Sequence, residues 1–454
     1  MISNEAATVA RTWGKYCRDI ASAPLDPDVE ARARLCLADH LHAAMHGARS
    51  ETASMLRSYF GGGEAARAAT ADAESAALYA GAISAVHEID DVHQDTSLHP
   101  GSVVVAAAIA CAGEKDVAGS RLLAAIVAGY EVAVRLSVAA GHRHYHYFHS
   151  TATCGTVGAA AAASIVLGLD GEQTAHAIGM AATFASGLWE GINDEAVTIK
   201  HLHPGLAAER GVRSAKLARL GLRSARHSIE GDKGFLAALA RPGPHAPNEA
   251  PARDDVTGIL LNGLGEQPAV LRNIFKRYPF CLGCFEPIEG VRHLLDSRVR
   301  NAIDIDGVLV ETSPSTAWMV GQSDPQDEFQ AKFSAPYALA LVLARHDVER
   351  APLPSRLLSD PEVRRWIPLI RVEGNSTFGR RRARVTVSLK GGTQESADQP
   401  FRNLADEEAW ARFARACARA LDERGARLEQ AVEQCASLSS VAELIALIRV
   451  AIAR

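Results

Sequence analysis

His149-Ser-Thr-Ala-Thr-Cys-Gly155 stands just before an alanine-rich apolar stretch from Ala159 to Leu169. Two similar junctions, His99-Pro-Gly-Ser102 and His203-Pro-Gly205, lie in the same part of the chain. Each predicts a histidine at the N-terminus of a buried helix. Because helix N-termini carry unpaired N–H groups and partial positive charge, three that converge would bind a small carboxylate. The histidines would then transfer protons.

Histidine is concentrated in this region, since ten of the 17 histidines lie between His87 and His203, about a quarter of the chain. Other histidines lie in segments whose apolar residues have helical spacing, and these histidines are interpreted as structural: His40, His42, His46 and His176. The region around the three junctions is therefore the first place to expect a site.

The composition indicates a globular protein with a large core. The chain has 454 residues, of which 48% are hydrophobic, and this length favours two domains over one. A net charge of −5 gives no basic field for nucleic acid or for a membrane surface. We therefore expect a small-molecule partner, with no nucleic acid and no membrane.

The termini and cysteines indicate a cytoplasmic protein. The first residues lack the basic start and apolar run of a signal peptide, and the apolar runs at 103–111 and 159–169 are too short to span a bilayer. Eight scattered cysteines fit reduced thiols. The single CxxC pair, Cys281 and Cys284, is interpreted as packing, because no second pair with zinc spacing accompanies it.

No cofactor is expected. The chain contains neither a GxGxxG after a strand nor a P-loop, which makes nucleotide cofactors improbable. The run His142-x-His144-x-His146-x-x-His149 is an alternative metal site, but its spacing is not that of a zinc protease and no cysteine accompanies it. The prediction is that no metal is bound.

The predicted fold class is mainly α, a large all-helical domain with an inserted smaller α+β lid domain. Residues 1–264 have helical spacing and form the first part of the helical domain; a proline-rich stretch at 241–251 is a boundary loop. Residues 265–400 form the lid. Residues 401–454 return to helical spacing and are expected to pack back on the first part.

Three short segments rich in β-branched residues predict the strands of the lid: 306–311, 369–372 and 384–389, the last ending in a Gly-Gly turn signal. A segment with helical spacing, residues 338–344, lies between the first two of these segments. Strands interleaved with helices favour a small α+β unit.

Five strings together resemble the MmgE/PrpD superfamily over nearly the whole chain. They are Ala85-Val-His-Glu-Ile-Asp-Asp91 with His99-Pro-Gly-Ser, Gly129-Tyr-Glu-Val-Ala-Val-Arg-Leu136, Phe148-His-Ser-Thr-Ala-Thr-Cys-Gly155, Lys200-His-Leu-His-Pro-Gly-Leu-Ala-Ala-Glu-Arg-Gly211 and Phe333-Ser-Ala-Pro-Tyr337. Members include 2-methylcitrate dehydratase, cis-aconitate decarboxylase and a cofactor-independent iminodisuccinate epimerase. The resemblance implies a helical domain with a lid and a homodimer.

The resemblance also implies site residues. The family's active-site histidine, lysine, second histidine, lid lysine and lid tyrosine fall on residues of matching type: His149, Lys200, His99, Lys276 and Tyr337. The acidic motif departs, because Glu88-Ile-Asp90-Asp91-Val92 stands where dehydratases and decarboxylases tend to have Asp-x-Asp-Asp-Thr. A longer acid and a lost hydroxyl disfavour an elimination, which needs a well-placed acid for the leaving group.

The first hypothesis is therefore an epimerase that inverts a carbon α to a carboxylate in a small polycarboxylate such as iminodisuccinate. Two proton carriers on opposite faces are needed, and Tyr145 or His149 against Lys200 would supply them, with the pKa of Lys200 lowered by neighbouring cations. The helix start at 151–155, with Lys276 and Arg135, would stabilise the anionic intermediate. His99, His146, Asp91, Thr153, Lys276 and Tyr337 are predicted to bind substrate.

Three alternatives stay open. A 2-methylcitrate-type dehydratase and a cis-aconitate decarboxylase would use many of the same active-site residues. A member that has lost catalysis and serves as a binding protein is disfavoured by the retained Lys200, His149, Lys276 and Tyr337. For Asp90 and Asp91, the alternative to a direct catalytic role is that they orient a lysine or a histidine, or cap a helix. The arginine run at 380–384 is interpreted as a solvated turn outside the site.

Overall fold

The computed structural model describes residues 8–61, 72–194, 198–240, 253–299, 304–379, 381–400 and 402–453. Within these residues the fold is mainly helical, with a four-stranded sheet in a minor α+β unit and a separate two-stranded sheet, and the mainly helical character agrees with the sequence prediction. The predicted boundary loop at 241–251 lies outside the described residues.

The helices before the lid have these bounds: α1 Val9–Ile20, α2 Pro27–Gly47, α3 Glu51–Tyr59, α4 Ala73–Ser84, α5 Gly101–Ala112, α6 Gly119–Tyr147, α7 Ser150–Leu167, α8 Gly171–Phe184, α9 Ile199–Arg219, α10 Phe235–Leu239 and α11 Arg253–Leu261. The helices that follow are α12 Phe285–Ser297, α13 Pro314–Val320, α14 Glu328–Lys332, α15 Ala335–Leu343, α16 Pro361–Trp366, α17 Asp406–Leu421, α18 Glu423–Glu433 and α19 Ala442–Ile452.

The strands are β1 Val92–His93, β2 Asn273–Ile274, β3 Ile305–Thr312, β4 Ile370–Gly374, β5 Ala383–Leu389 and β6 Gln394–Ala397. In the four-stranded sheet the order is β4-β3-β5-β6, with β3 parallel to β4 and antiparallel to β5. All three strand segments expected from the sequence belong to this sheet.

Two hydrophobic cores divide the molecule. The first contains buried residues of α1 to α9 and also of α17, α18 and α19, so the C-terminal helices pack on the first half. The second core is built from α12, α15 and the four-stranded sheet. The change of core falls between Phe275 and Tyr278. The domain limits drawn from the sequence stay a prediction.

Helix α7 is the centre of the helical part, because every residue from Ser150 to Leu167 is buried. Its small residues allow neighbouring helices to approach closely: a Cβ at Gly158 would meet the backbone oxygen of Gly129 on α6 at 2.5 Å. The stretch 119–141 and α7 are long and apolar enough to cross a membrane, but 89% and 100% of their apolar windows are buried in the protein. They are core helices here.

Helix α6 contains a break at Gly141, whose φ of 72° lies in the left-handed region. The helix resumes after this glycine and continues as far as Tyr147. Glycine adopts positive φ at little cost, so the last turns change direction without a loop. This change of direction brings Tyr145 and His146 to the cavity described below.

The two-stranded sheet joins the acidic segment to the lid side. Val92 pairs with Ile274 and His93 with Asn273 in antiparallel register. Because Glu88 lies four residues before β1 and Lys276 two residues after β2, this pairing brings the two side chains to one place.

Candidate active site

A cavity of about 380 Å³ lies between the helical part and the lid. Side chains of both parts form its wall. The residues used below are Glu88, Thr96, His99, Tyr145, His146, Trp189 and Lys200 from the helical part, and Lys276, Cys281, Glu286, Ser315, Thr316, Trp318, Phe333 and Arg381 from the other side. The volume suits a ligand of the size of a small polycarboxylate.

Glu88 lies at the centre of the charged wall. Its carboxylate pairs with the Lys200 ammonium, and its Oε1 accepts a hydrogen bond of 3.0 Å from Lys276 Nζ. Although burial alone would raise the pKa of Glu88, the charges of Lys200, Lys276 and His99 hold it well below its usual range. Glu88 has a φ of 55°, a left-handed conformation rare outside glycine and often found at functional sites.

The first acid of the altered motif therefore reaches the site. The longer side chain of Glu88, in place of aspartate, favours an epimerase over an elimination when the sequence alone is considered, but the structure places its carboxylate between two buried lysines. The neighbour of Lys200 is thus an acid, where the sequence hypothesis expected other cations. This geometry removes much of the reason for preferring an epimerase.

His99 is oriented by Asp90. The His99 Nδ1 lies 3.1 Å from Asp90 Oδ2, and its Nε2 lies 3.9 Å from Glu88 Oε1. Burial raises the pKa of Asp90, but the charge of the neighbouring His99 lowers it below its usual value. A carboxylate at one ring nitrogen fixes the ring and leaves the other nitrogen for chemistry in the cavity.

Asp91 is buried behind this wall and does not line the cavity. It accepts hydrogen bonds from the Gly101 backbone N–H at 2.8 Å, from Tyr130 Oη at 2.5 Å and from Asn273 Nδ2 at 2.5 Å. Burial raises its pKa to about 6 despite these donors. Asp91 joins the start of α5 to β2, so it positions the residues that reach the cavity.

His149 also lies one layer behind the cavity. Its ring stacks on Trp189 with centroids 4.4 Å apart, and its Nδ1 lies 3.1 Å from His203 Nδ1. Its Nε2 is buried without a hydrogen-bond partner among the described residues. Burial and the nearby His203, Lys200 and His99 lower the pKa of His149 well below its usual range, so the ring is neutral.

The predicted anion site at the start of α7 is closed to the cavity. Thr151 is fully buried and accepts a hydrogen bond from the His99 backbone N–H at 3.1 Å. Thr153 is bonded to His144 Nε2 at 2.7 Å. Thr151 and Thr153 therefore hold neighbouring segments together and do not reach the cavity.

Tyr145 and His146 do line the cavity, on the turns that follow Gly141. The Tyr145 ring lies 5.7 Å from Trp189, and the His146 ring lies 6.1 Å from Trp318 of the lid, measured between centroids. His144 does not line the cavity, and its Nδ1 lies 3.1 Å from the backbone oxygen of Leu239. Within the described part of the chain, no three His, Cys, Asp or Glu side chains are placed to hold a metal ion.

Tyr337 and Arg135 lie elsewhere. Tyr337 is buried and lines a separate small cavity with His87 and Lys332. Arg135 pairs with Glu131 at 2.6 Å and donates to backbone oxygens at 259–263. Neither side chain is brought to the cavity of Glu88.

His203 lies inside α9, one turn beyond its start, because the helix begins at Ile199. The His-Pro-Gly pattern suggested a helix start at this point. Pro204 instead lies in the second turn of the helix, where its missing N–H removes one i→i−4 hydrogen bond. The true helix start is next to Lys200, which places this lysine in the first turn.

Several cavity residues were missed from the sequence. Arg381 belongs to the run interpreted as a solvated turn, yet it lines the cavity and donates to the His93 backbone oxygen at 3.2 Å. Glu286 lines the cavity too, and burial raises its pKa to about 7. Trp189 and Trp318 had no signal beyond being two of five tryptophans. Only long-range folding brings these side chains to Glu88.

The site can bind carboxylates and transfer protons. Lys200, Lys276 and Arg381 supply positive charge, while His99, Tyr145 and His146 supply groups that exchange protons. The buried position of Glu88 and Lys276, with 4% and 1% of their side chains exposed, strengthens electrostatic interactions at the cavity wall. A site of this kind is typical of enzymes that act on the carbon α to a carboxylate.

The chain belongs to the MmgE/PrpD family. The MmgE/PrpD N-terminal domain matches residues 11–247, and the MmgE/PrpD C-terminal domain matches residues 278–438. The resemblance read from the five sequence strings is thereby confirmed at the level of the superfamily.

Its similar proteins include cis-aconitate decarboxylases. The Homo sapiens enzyme is 27% identical over 323 residues, covering 68% of this chain and 64% of the relative. The cis-aconitate decarboxylase-like protein oryM of Aspergillus oryzae is 29% identical over 235 residues, with 49% and 46% covered. The Aspergillus terreus decarboxylase is 24% identical over 364 residues, with 75% and 73% covered. The first two alignments span less than two thirds of those relatives.

Proposed function

We propose that this protein is a lyase that decarboxylates a small unsaturated polycarboxylate of the cis-aconitate type. The observation that carries the proposal is the pairing of Glu88 with Lys200 and Lys276 at the wall of the cavity between the helical part and the lid. The similarity to cis-aconitate decarboxylases supports a lyase over the epimerase expected from the sequence.

The substrate carboxylates would bind to the cationic groups of the cavity. Lys276 is held by Glu88 and is almost fully buried, so it provides a fixed positive charge. Arg381 approaches from the lid, and its planar guanidinium matches a carboxylate in a two-point contact. The hydroxyls of Thr96, Ser315 and Thr316 line the same cavity and would orient the remaining oxygens.

The reaction would balance as follows. One carboxylate leaves as CO2, and the electron pair of its C–C bond forms a new double bond. The electrons of the existing double bond move to the carbon α to another carboxylate, and that carbon takes one proton. Binding the carboxylate next to this carbon to a cation stabilises the charge that develops there.

Lys200 and His99 are the proposed proton carriers at that carbon. Both line the cavity and both lie beside the ionised carboxylate of Glu88, which pairs with either group when that group carries a proton. Asp90 would position His99, and Asp91 would position Asp90 through the start of α5. His149, stacked behind Trp189, would position the aromatic wall and not touch the substrate.

An epimerase remains the second candidate, because Tyr145 lines the cavity together with Lys200. A phenol and an amine on two faces of one carbon would invert it without releasing any fragment. A 2-methylcitrate-type dehydratase would use the same wall, with His146 or His99 protonating the departing hydroxide. These reactions differ in their products.

The experiment that tests the proposal is incubation of the purified protein with three substrates in parallel. Cis-aconitate should release CO2, 2-methylcitrate should give no new double bond, and iminodisuccinate should keep its optical rotation. Release of CO2 only from the wild type and not from Lys200→Met would support the proposal. Unsaturation from 2-methylcitrate or loss of rotation from iminodisuccinate, without CO2 from cis-aconitate, would contradict it.

We also propose that the protein acts as a cytoplasmic homodimer, as the family resemblance implies. Light scattering coupled to size-exclusion chromatography tests the dimer directly. A mass of about twice 48.2 kDa is expected, and a monomeric mass at working concentration would contradict it.

A further inference from the structure

A second cavity, of about 770 Å³, lies on another side of the junction between the helical part and the lid. Its walls come from α2, from α17 and from the loop at 347–352. The polar residues that line it are His42, His46, Arg49, Ser50, His87, Asp347, Glu349, Arg350, Arg412, Arg415 and Arg419. None of these residues lines the cavity of Glu88.

Positive charge is in excess in this cavity. Five arginines face two acids, in a chain whose net charge is −5. One of the acids, Glu349, is already surrounded by three arginine side chains at 3.0–3.4 Å: Arg277, Arg292 and Arg412. The side chains of four arginines form no hydrogen bond or ion pair with any described residue: Arg49, Arg350, Arg415 and Arg419.

His87 lies between this cavity and the small cavity of Tyr337, and one of its buried ring nitrogens has no partner in the described part of the chain. His87 is 7% exposed, and the unpartnered nitrogen is its Nδ1. A buried polar nitrogen without a partner is unfavourable, so such an atom is usually satisfied by a ligand or a water. The neighbouring His46 and Arg412 approach the same space.

We propose that this second cavity binds a small anion that carries linked phosphate groups, such as a polyphosphate or the phosphate chain of a nucleotide. Arginine forks match phosphate oxygens in two-point contacts, and several forks around one space favour a multiply charged anion over a single carboxylate. The cavity is about twice the volume of the active-site cavity, which leaves room for three linked phosphates.

The position of the cavity gives the bound anion a structural consequence. Arg412 donates to the backbone oxygens of Lys276 and Arg277, and His87 immediately precedes Glu88. Arg415 and Arg419 belong to the helical part, whereas Arg350 belongs to the lid. A polyanion held by both sides would join the two parts next to the segments that carry Glu88 and Lys276.

The test is isothermal titration of the full-length protein with sodium triphosphate at low ionic strength, because salt screens such contacts. The double variant Arg415→Ala/Arg419→Ala removes two of the unpaired arginines. The matched control, Arg223→Ala/Arg371→Ala, removes the same charge from exposed positions outside both cavities. We expect saturable binding by the wild type, a Kd raised at least about tenfold in the cavity variant, and an unchanged Kd in the control.

Three outcomes would overturn the proposal. The first is no saturable binding by the wild type, as a partner subunit filling the cavity would cause. The second is an equal loss of affinity in both double variants, which indicates attraction by general charge. The third is citrate binding at least as tight as triphosphate and lost in the cavity variant, which assigns the cavity to carboxylates. The titration measures binding and no catalytic activity, so its result is independent of the proposed function.

Discussion

Lys276 Nζ donates a hydrogen bond of 3.0 Å to Glu88 Oε1 across the junction between the lid side and the helical part. The charge of Glu88 raises the pKa of Lys276 although burial opposes this, so the pair is ionised. Breaking a buried pair is costly because it leaves one charge without a partner. The contact therefore both fixes a substrate-binding cation and stabilises the closed junction.

Replacement of Glu88 by Gln tests this pair. The amide keeps the shape but leaves Lys200 and Lys276 without a counter-charge, so the free energy of unfolding should fall by about 3 kcal/mol. The value of kcat/KM should fall at least about 100-fold, because the proton carriers lose the carboxylate between them. Denaturant unfolding and decarboxylation kinetics measure the two effects.

The matched control for this variant is Glu286→Gln. Glu286 is also buried and its pKa is raised to about 7, so an amide resembles the protonated form that it adopts at neutral pH. Its unfolding free energy should change by less than about 1 kcal/mol. Equal losses of stability in the two variants would show that Glu88 has no special electrostatic role.

Lys200→Met should abolish turnover, whereas Lys332→Met should leave most of it. Both lysines are largely removed from solvent, but Lys200 lines the cavity and Lys332 donates to the Val86 backbone oxygen at 2.8 Å. The loss expected for Lys200→Met is at least about 1,000-fold in kcat, the size of a missing proton carrier with its charge. Turnover by Lys200→Met within about tenfold of the wild type would remove this lysine from the mechanism.

Stability should fall as the pH is lowered from 7 to 4.5. Burial lowers the pKa of seven histidines to about 3 or about 4: His40, His46, His87, His93, His144, His201 and His203. Because the unfolded pKa is near 6.5, the unfolded chain binds protons in this window and the folded chain does not. Each histidine contributes up to about 1.4 kcal/mol per pH unit.

Asp91 acts in the opposite direction over part of this range. Its pKa is raised to about 6, so its contribution is complete below about pH 4 and is lost as the pH rises through 6. Glu286, whose pKa is raised to about 7, and Asp39, whose pKa is also raised by burial, act in the same direction as Asp91, but these three carboxyls cannot offset seven imidazoles. Urea unfolding at pH 7 and pH 5 measures the sum, and an equal or greater stability at pH 5 would contradict the burial of neutral histidines.

Gly205→Ala should destabilise the protein by about 2–3 kcal/mol. A Cβ at Gly205 would lie 2.2 Å from the Leu78 backbone oxygen, so α9 must move away from α4. Gly307→Ala is the control, because the nearest atom to its Cβ would be the Leu369 oxygen at 3.7 Å. Thermal unfolding of both variants gives the comparison, and equal midpoints would show that the helix contact tolerates a methyl group.

The fold could be predicted because its signals are local. Alanine-rich apolar segments predict α5, α6 and α7 as buried helices, and segments rich in β-branched residues predict the strands β3, β4 and β5. Helix starts were less secure: Pro204 looked like a first-turn proline but lies within α9, since the helix begins at Ile199. The glycine at 141 marks a break without revealing that the helix resumes.

The site could be predicted only in part. Lys200, His99, Lys276, Tyr145 and His146 meet at one cavity, as the resemblance and the histidine run suggested. Asp91 and Thr153 lie behind the wall, where hydrogen bonds inside the core take their polar atoms, and His149 lies behind the ring of Trp189. Arg381 and Glu286 reach the cavity from distant parts of the chain, and no local pattern reports such a contact.

The most direct test of the central claim is incubation of cis-aconitate with the wild-type protein in heavy water, followed by mass spectrometry of the product and measurement of CO2. Decarboxylation at the Glu88, Lys200 and Lys276 cluster predicts one CO2 per substrate consumed and one deuterium on the carbon α to a remaining carboxylate. Lys200→Met should give neither. Deuterium entering unchanged substrate, with loss of optical rotation from iminodisuccinate and no CO2 from cis-aconitate, would contradict the account.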